Sequence, residues 1–132
     1  MRESKFRGKR IDNDKWVYGD LIHCYGADAG RIFIKTFTGL YEVDPTTVGE
    51  FTGLKDKNGK EIYEGDVIRS PLSEDKTRPH RIFYHTGNAA FMGALIDRKE
   101  LCYLRLDQDW IYKFGKEVIG NIHENPELLE SK

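Results

Sequence analysis

The stretch from Phe51 to Ile68 constrains the fold of this chain more than any other segment. It reads FTGLKDKNGKEIYEGDVI, in which glycine-centred turns separate short apolar steps and the last step is β-branched. Glycine supplies the positive φ that tight turns need, and Val and Ile favour extended backbone. Asn58-Gly59 is typical of a type I′ hairpin turn, in which both central residues have positive φ. The stretch therefore predicts a small β domain built on tight turns.

Short strands separated by turn residues continue along the rest of the chain. Runs rich in Val, Ile, Tyr and Phe, bounded by Gly, Asn, Asp or Pro, are typical of all-β domains. They predict strands at residues 5–9, 16–25, 31–37, 67–69, 80–85, 89–92, 101–106 and 117–122. This pattern favours a mainly β fold, with coiled sheets or a small barrel, in a single domain of residues 1–132.

Three further segments are assigned from their local pattern. The four-residue spacing of Leu106, Trp110 and Phe114 suits a helix, whereas the Asp-Gln-Asp between them suits a loop, so residues 106–116 stay open. Asn125-Pro126 predicts the start of a short C-terminal helix, with Asn as its cap and Pro in its first position. Residues 70–79 are polar with proline near both ends, which predicts an exposed loop.

The tetrapeptide Phe-Thr-Gly-Leu occurs twice, at residues 37–40 and 51–54. Four residues are too few to establish an internal repeat. We interpret the recurrence as the same turn chemistry used at two places in the chain, with a pseudo-symmetric fold as the alternative.

Composition and charge argue against several classes of protein. The 132 residues carry a net charge of −1, so nothing attracts the whole chain to nucleic acid or anionic lipid. No run approaches the ~20 apolar residues of a membrane-spanning helix. The basic N-terminus lacks the apolar stretch of a secretory signal, so we expect a soluble, cytoplasmic protein. Cys24 and Cys102 are then expected to be reduced, buried thiols.

The side chains that bind metal ions are present without the spacing of a metal site. The nitrogen and sulfur donors are His23, Cys24, His80, His85, Cys102 and His123, and no C-x-x-C or H-x-x-x-H pair occurs among them. Asp56 and Asn58 have the spacing of a calcium loop, but Gly59 follows too early and no further ligands succeed it. We therefore expect neither a metal ion nor a cofactor.

The sequence likewise gives little indication of a catalytic site. The acidic residues form two clusters, Glu61, Glu64 and Asp66 in the first and Asp107 with Asp109 in the second. Paired carboxylates can serve acid–base or metal-assisted hydrolysis. The first cluster lies in turn sequence, which favours a solvated rim in which Asp66 bonds the turn backbone. His23 and Cys24 are adjacent, so a strand would point them to opposite faces. We expect no catalytic residue.

Two groups of basic residues could form a nucleic-acid surface. They are Arg2, Lys5, Arg7, Lys9, Arg10 and Lys15 within residues 2–15, and Lys76, Arg78, His80 and Arg81 within residues 76–81. Neighbouring aromatic residues, Trp16, Tyr18 and Tyr84, would suit a stacking platform for single strands. Acidic residues such as Asp12 and Asp14 interleave with the first group, so charged loops flanking core strands explain the same residues.

Three segments resemble the YopX family of phage and prophage proteins. They are Lys5-Phe-Arg-Gly8, the long run from Thr52 to Val67, and EVIGNIHENPEL at residues 117–128. They occur in the order of the family and bracket nearly the whole chain, whereas residues 69–116 add little to the match.

The resemblance implies several coiled β-sheets that contain a small SH3-like barrel, and it implies the bacterial cytoplasm as the place of action. It implies no activity, cofactor or catalytic residue. The first hypothesis is therefore a non-enzymatic protein-interaction module that binds a host or phage protein, with self-association left open and no membrane involved. Nucleic-acid binding through residues 2–15 and 76–81 is the alternative, and a hydrolase using the acidic clusters is the third hypothesis.

Overall fold

Short antiparallel strands dominate the structure, a computed structural model that describes residues 4–70, 79–96 and 103–129. The strands of these residues are β1 (Phe6–Lys9), β2 (Trp16–His23), β3 (Ile32–Thr36), β4 (Gly39–Val43), β5 (Gly49–Lys55), β6 (Glu61–Tyr63), β7 (Asp66–Arg69), β8 (His80–His85), β9 (Ala90–Leu95), β10 (Tyr103–Arg105) and β11 (Glu117–Asn121). The helices are α1 (Gln108–Lys113) and the 3-10 turns Gly26–Asp28, Pro45–Thr47, Thr86–Asn88 and Pro126–Leu129. The prediction of a mainly β fold is confirmed.

The chain divides into two compact units, and the first comprises residues 1–51. In it, β4, β3, β2, β1 and the beginning of β5 lie side by side in that order. Ile34 and Val43 are its most deeply buried apolar side chains. Gly8 lies against Val43, where an added Cβ would come within 2.9 Å of the valine side chain. An isolated bridge from Arg10 to Val43 brings the end of β4 back to the chain that follows β1.

The second unit, residues 52–132, contains a five-stranded sheet in the order β10-β9-β8-β7-β11. The end of β5 pairs with β6 in the same unit. The core is made by Ile62, Ile68, Ile82, Leu106 and Ile111. Within the described residues neither sheet closes into a barrel. The prediction that residues 1–132 form one domain is not tested by this division and stays a prediction.

The hairpin after β5 is organised by Asp56. Its Oδ1 accepts hydrogen bonds from the backbone N–H groups of Asn58 and Lys60, at 2.8 and 2.9 Å. Gly59 has φ 83°, whereas Asn58 is not among the residues with positive φ. The turn therefore has one left-handed residue, and the predicted type I′ turn is wrong. The Asp56 carboxylate stabilises a type I turn followed by a left-handed glycine, which is another common hairpin loop.

Several local predictions are settled by side-chain hydrogen bonds. Asp66 is buried, and its Oδ2 accepts the Tyr63 N–H at 2.8 Å, which confirms its predicted role in the turn before β7. The open segment 106–116 contains α1, which is capped by Asp107 through the Trp110 N–H at 2.7 Å. The predicted C-terminal helix is the 3-10 turn that begins at Pro126.

The predicted cap at Asn125 and the repeated tetrapeptide differ in the structure from what the sequence predicts. The Asn125 Oδ1 accepts the Asn121 N–H at 3.2 Å, so the predicted cap contacts the preceding strand. The two Phe-Thr-Gly-Leu copies do not form the same turn, because the first spans the tip between β3 and β4 and the second lies inside β5. Residues 71–78 of the predicted loop and 101–102 of a predicted strand lie outside the described residues.

Candidate interaction surface

The tip of the β3–β4 hairpin displays an aromatic side chain on a hydrogen-bonded turn. Thr36 Oγ1 accepts the N–H groups of Thr38 and Gly39, at 3.1 and 3.2 Å. Thr38 Oγ1 lies 3.0 Å from the Tyr41 hydroxyl, which ties the turn to β4. Phe37 stands between the two threonines and is 105% exposed relative to a free reference residue. The turn therefore holds a large apolar side chain in water.

Two further exposed apolar side chains line a depression of about 440 Å³ along β4. Leu40 is 53% exposed on β4, and Ile11 is 57% exposed in the turn after β1. The depression is lined by Arg10, Ile11, Asp12, Leu40, Tyr41 and Glu42. We call Phe37, Leu40, Ile11 and this depression the β4 surface. Exposed apolar side chains beside a depression are a feature of interaction sites in soluble proteins.

The charges of the β4 surface are paired within the first unit. Arg10 donates to both oxygens of Asp12, at 2.9 and 2.6 Å, and its guanidinium lies 4.3 Å from the Tyr41 ring centre. Arg31 donates to both oxygens of Glu42, at 3.1 and 2.6 Å. These hydrogen bonds lower the pKa of Asp12 and of Glu42 below their ordinary values. They also raise the pKa of both arginines.

Acid titration should detect the Arg31–Glu42 pair. The hydrogen bonds from Arg31 lower the folded-state pKa of Glu42 below its unfolded-state value. Stability from the pair is therefore present above the unfolded-state pKa and is lost as pH falls through the folded-state pKa. Because the pair is exposed, the stability effect is small and weakens with salt. Carboxyl ¹³C NMR should give a Glu42 midpoint below the ordinary value, and Arg31→Gln should raise it.

The titration midpoint of Asp12 is the internal control, since the hydrogen bonds that lower the pKa of Asp12 come from Arg10. Arg31→Gln should leave the Asp12 midpoint unchanged. A Glu42 midpoint that is the same in the variant and in the unchanged protein would contradict the pair.

The first predicted basic group is largely engaged with aromatic rings. The Arg7 guanidinium and the Lys9 ammonium lie 4.7 and 5.7 Å from the Trp16 ring centre. Arg7 is only 6% exposed. Lys5 lies 5.3 Å from the ring centre of Phe51. The strand order therefore brings the predicted cations and aromatics together, but as intramolecular cation–π pairs rather than as a free cationic surface.

The second basic group is described only in part. Lys76 and Arg78, like Arg2 of the first group, lie outside the described residues. His80 is buried, with its ring centre 5.7 Å from that of Trp110 in an edge-to-face contact. Arg81 lies 5.3 Å from the Phe83 ring centre.

The candidate catalytic and metal-binding residues have other contacts in the described chain. Tyr63 donates its hydroxyl to Glu61 at 3.1 Å, Asp66 accepts from the turn backbone, and Asp107 caps α1. Cys24 is a half-buried free thiol, and His85 Nδ1 accepts the Asn88 N–H at 3.1 Å. Across residues 4–70, 79–96 and 103–129, no three His, Cys, Asp or Glu side chains come together as a metal site.

The sequence does not identify the residues of the β4 surface as candidate site residues. Ile11, Phe37 and Leu40 are apolar, and apolar residues beside predicted strands are normally assigned to the core. One sequence signal was present, because Phe37 lies between two threonines that precede a glycine. Thr and Gly are turn residues, and a phenylalanine in a turn has no strand face to bury it.

Together these features define a mainly β protein with paired charges and an exposed apolar edge. The chain belongs to the YopX protein family, whose model matches residues 5–130. It is similar to the crystal structure of protein EF1440 from Enterococcus faecalis, with 26% identity and a TM-score of 0.62 over 98% of this chain and all of that one. No curated protein matches the chain. Among the described helices, none combines the length and apolar character needed to cross a bilayer.

Proposed function

We propose that this protein is a non-enzymatic protein-interaction module, encoded by a phage or prophage as an accessory protein and acting in the cytoplasm of its bacterial host. The observation that carries the proposal is the fully exposed Phe37 on the hydrogen-bonded hairpin tip. A phenylalanine can bury 150–250 Å² in a partner. Because the turn already orders the backbone beneath it, a partner binds with a smaller entropic cost.

Within this proposal, the open meander of the first unit corresponds to the SH3-like element that the family resemblance implies. The β1–β4 meander bends until Val43 pairs with Arg10, and Gly8 allows the close approach of Val43. SH3 domains bind extended peptides in grooves on their surface. The β4 surface offers a depression beside an outer strand.

Nucleic-acid binding is the weaker alternative. It requires cations that can reach phosphates, since phosphate neutralisation supplies most of such affinity. Arg7 is buried against Trp16, and Arg10 is paired with Asp12. Of the other described cations of this group, Lys5 and Lys9 have their ammonium groups against the rings of Phe51 and Trp16.

Substitution of Phe37 tests the proposal. The probe is a linear 12-residue peptide, selected from a random library displayed on an unrelated carrier against the intact protein. Phe37→Ala should weaken its binding at least tenfold, because central aromatic anchors carry a large share of interface energy. The unfolding midpoint should stay nearly unchanged, since the side chain is in water. Fluorescence polarisation with labelled peptide measures the affinity.

Tyr25→Ala is the matched control. Tyr25 is also an exposed aromatic of the first unit, at 85%, but it lies at the opposite end of β3 from Phe37. At about 3.3 Å per strand residue the two sites are roughly 16 Å or more apart. The control should therefore bind like the unchanged protein. Failure to select any peptide, or equal binding by the two variants, would overturn the proposed function.

A further inference from the structure

The outer edge of β4 is partly occupied by the chain itself. β4 is the last strand of its sheet in the first unit. Near its C-terminal end, the Ile11 N–H donates to the Glu42 carbonyl at 3.2 Å, and the Asp44 N–H donates to the Lys9 carbonyl at 2.8 Å. The bridge between Arg10 and Val43 lies between these two bonds. Residues 9–11 therefore lie along β4 as a short antiparallel segment.

This segment leaves β4 before reaching the hairpin tip. In the register set by Arg10 and Val43, a continuing antiparallel strand would place its next residues opposite Glu42, Tyr41 and Leu40. The chain turns away instead, since the Asp14 N–H donates to the Arg10 carbonyl at 3.0 Å and Asp14 has a left-handed φ of 58°. The place of the missing strand residues is the 440 Å³ depression.

The backbone N–H and C=O groups of Leu40 face this depression. Backbone polar groups alternate between the two edges of a strand. The Glu42 carbonyl points outward to Ile11, so the N–H and C=O of Leu40, two residues earlier, point outward as well. An extended segment lying here would gain main-chain hydrogen bonds, as in other cases of strand addition.

The lining of the depression indicates the chemistry of its occupant. Its acidic side chains, Asp12 and Glu42, already have bidentate arginine partners. A charged occupant would gain no free counter-charge here and would lose hydration. Ile11 and Leu40 are exposed apolar side chains beside the edge, and the exposed carboxylate of Asp12 is neutralised by Arg10. The depression therefore suits a neutral occupant with β-branched or other apolar side chains.

We propose that the Leu40 edge of β4 binds an uncharged extended segment of a partner protein as an added strand. This inference rests on the proposed function, which it deepens by stating how the partner is bound. The segment continues the line of residues 9–11 toward the hairpin tip. There Phe37 contacts the partner beyond the end of the added strand.

A scan of backbone N-methylation tests the mode of binding. The selected 12-residue peptide is made as a series, each carrying one N-methyl group. An added strand here places one peptide N–H on the Leu40 carbonyl, so methylation of that N–H should weaken binding at least tenfold. Methylation of either neighbouring N–H, which points away from β4, should change binding less than threefold. Leu40→Lys should also weaken binding at least tenfold, because lysine blocks edge strands. Tyr25→Lys is the control and should have little effect.

The outcomes separate this inference from the proposed function. Loss of binding in Phe37→Ala, combined with no N-methyl position that is sensitive between two insensitive neighbours, would overturn strand addition and leave the interaction module in place. Equal binding by Phe37→Ala and Tyr25→Ala would overturn both. A concentration-dependent dimer in sedimentation, abolished by Leu40→Lys and unaffected by peptide, would assign the edge to a second copy and overturn the proposed occupant. Selection of only charged peptides would overturn its uncharged chemistry.

Discussion

Asp56→Ala is expected to lower the free energy of unfolding by about 3 kcal/mol, because three backbone N–H groups lose the buried carboxylate that accepts from them. The carboxylate is 1% exposed. Its Oδ1 accepts from Asn58 and Lys60, and its Oδ2 accepts from the Val118 N–H at 3.0 Å. One side chain therefore joins the β5–β6 hairpin to β11, 62 residues later in the chain.

Urea denaturation followed by far-ultraviolet circular dichroism measures this effect, and a thermal midpoint lower by about 10 °C should accompany it. Asp56→Asn keeps the shape of the side chain but turns one acceptor into an NH₂ donor, so it should lose part of the stability. The control is Asp20→Ala, at an exposed position on β2, which should change stability by less than about 0.5 kcal/mol. A loss below about 1 kcal/mol for Asp56→Ala would contradict the role of this carboxylate.

Gly19→Ala is expected to destabilise the first unit by about 3 kcal/mol or more, because the added methyl group has no space. A Cβ at Gly19 would overlap the Lys35 carbonyl oxygen and would lie 3.4 Å from the Ile34 side chain. The carbonyl belongs to β3, which pairs with β2, so it cannot yield without separating the two strands. The same denaturation experiment measures the loss.

Gly26→Ala is the control that distinguishes the steric overlap at Gly19 from the general effect of replacing a glycine by alanine. Gly26 has φ 71° and nothing within 4 Å of an added Cβ, so only left-handed strain applies. That strain costs about 1–2 kcal/mol. A Gly19→Ala variant no less stable than Gly26→Ala would show that β2 and β3 do not approach as closely as the structure has them.

Local sequence predicted elements whose hydrogen bonds lie within a few residues. Runs rich in β-branched and aromatic residues located β2, β3 and β8 to within two residues at each end. The role of Asp66 was predicted because its acceptor bond to Tyr63 spans only three residues. The type I′ turn at Asn58-Gly59 was wrong although the hairpin itself was correctly placed, because dipeptide preference did not include the carboxylate of Asp56.

The candidate site was the part least accessible from sequence. The basic and aromatic residues of the first group were correctly expected to be neighbours, but their mutual contacts occupy them. The β4 surface depends on which strand ends the sheet and on where residues 9–11 leave β4. Neither property is encoded in a short motif, since both result from pairing between segments about 30 residues apart.

The two copies of Phe-Thr-Gly-Leu show where local sequence stops predicting this fold. Short strands and tight turns follow from the sequence, because turn formation and strand preference are local properties of Gly, Asn, Val and Ile. Local sequence could not assign different fates to two identical tetrapeptides. Phe37 is 105% exposed at a hairpin tip, whereas Phe51 is 5% exposed within β5. Burial requires neighbours from distant segments, so tertiary pairing buried Phe51 and left Phe37 exposed.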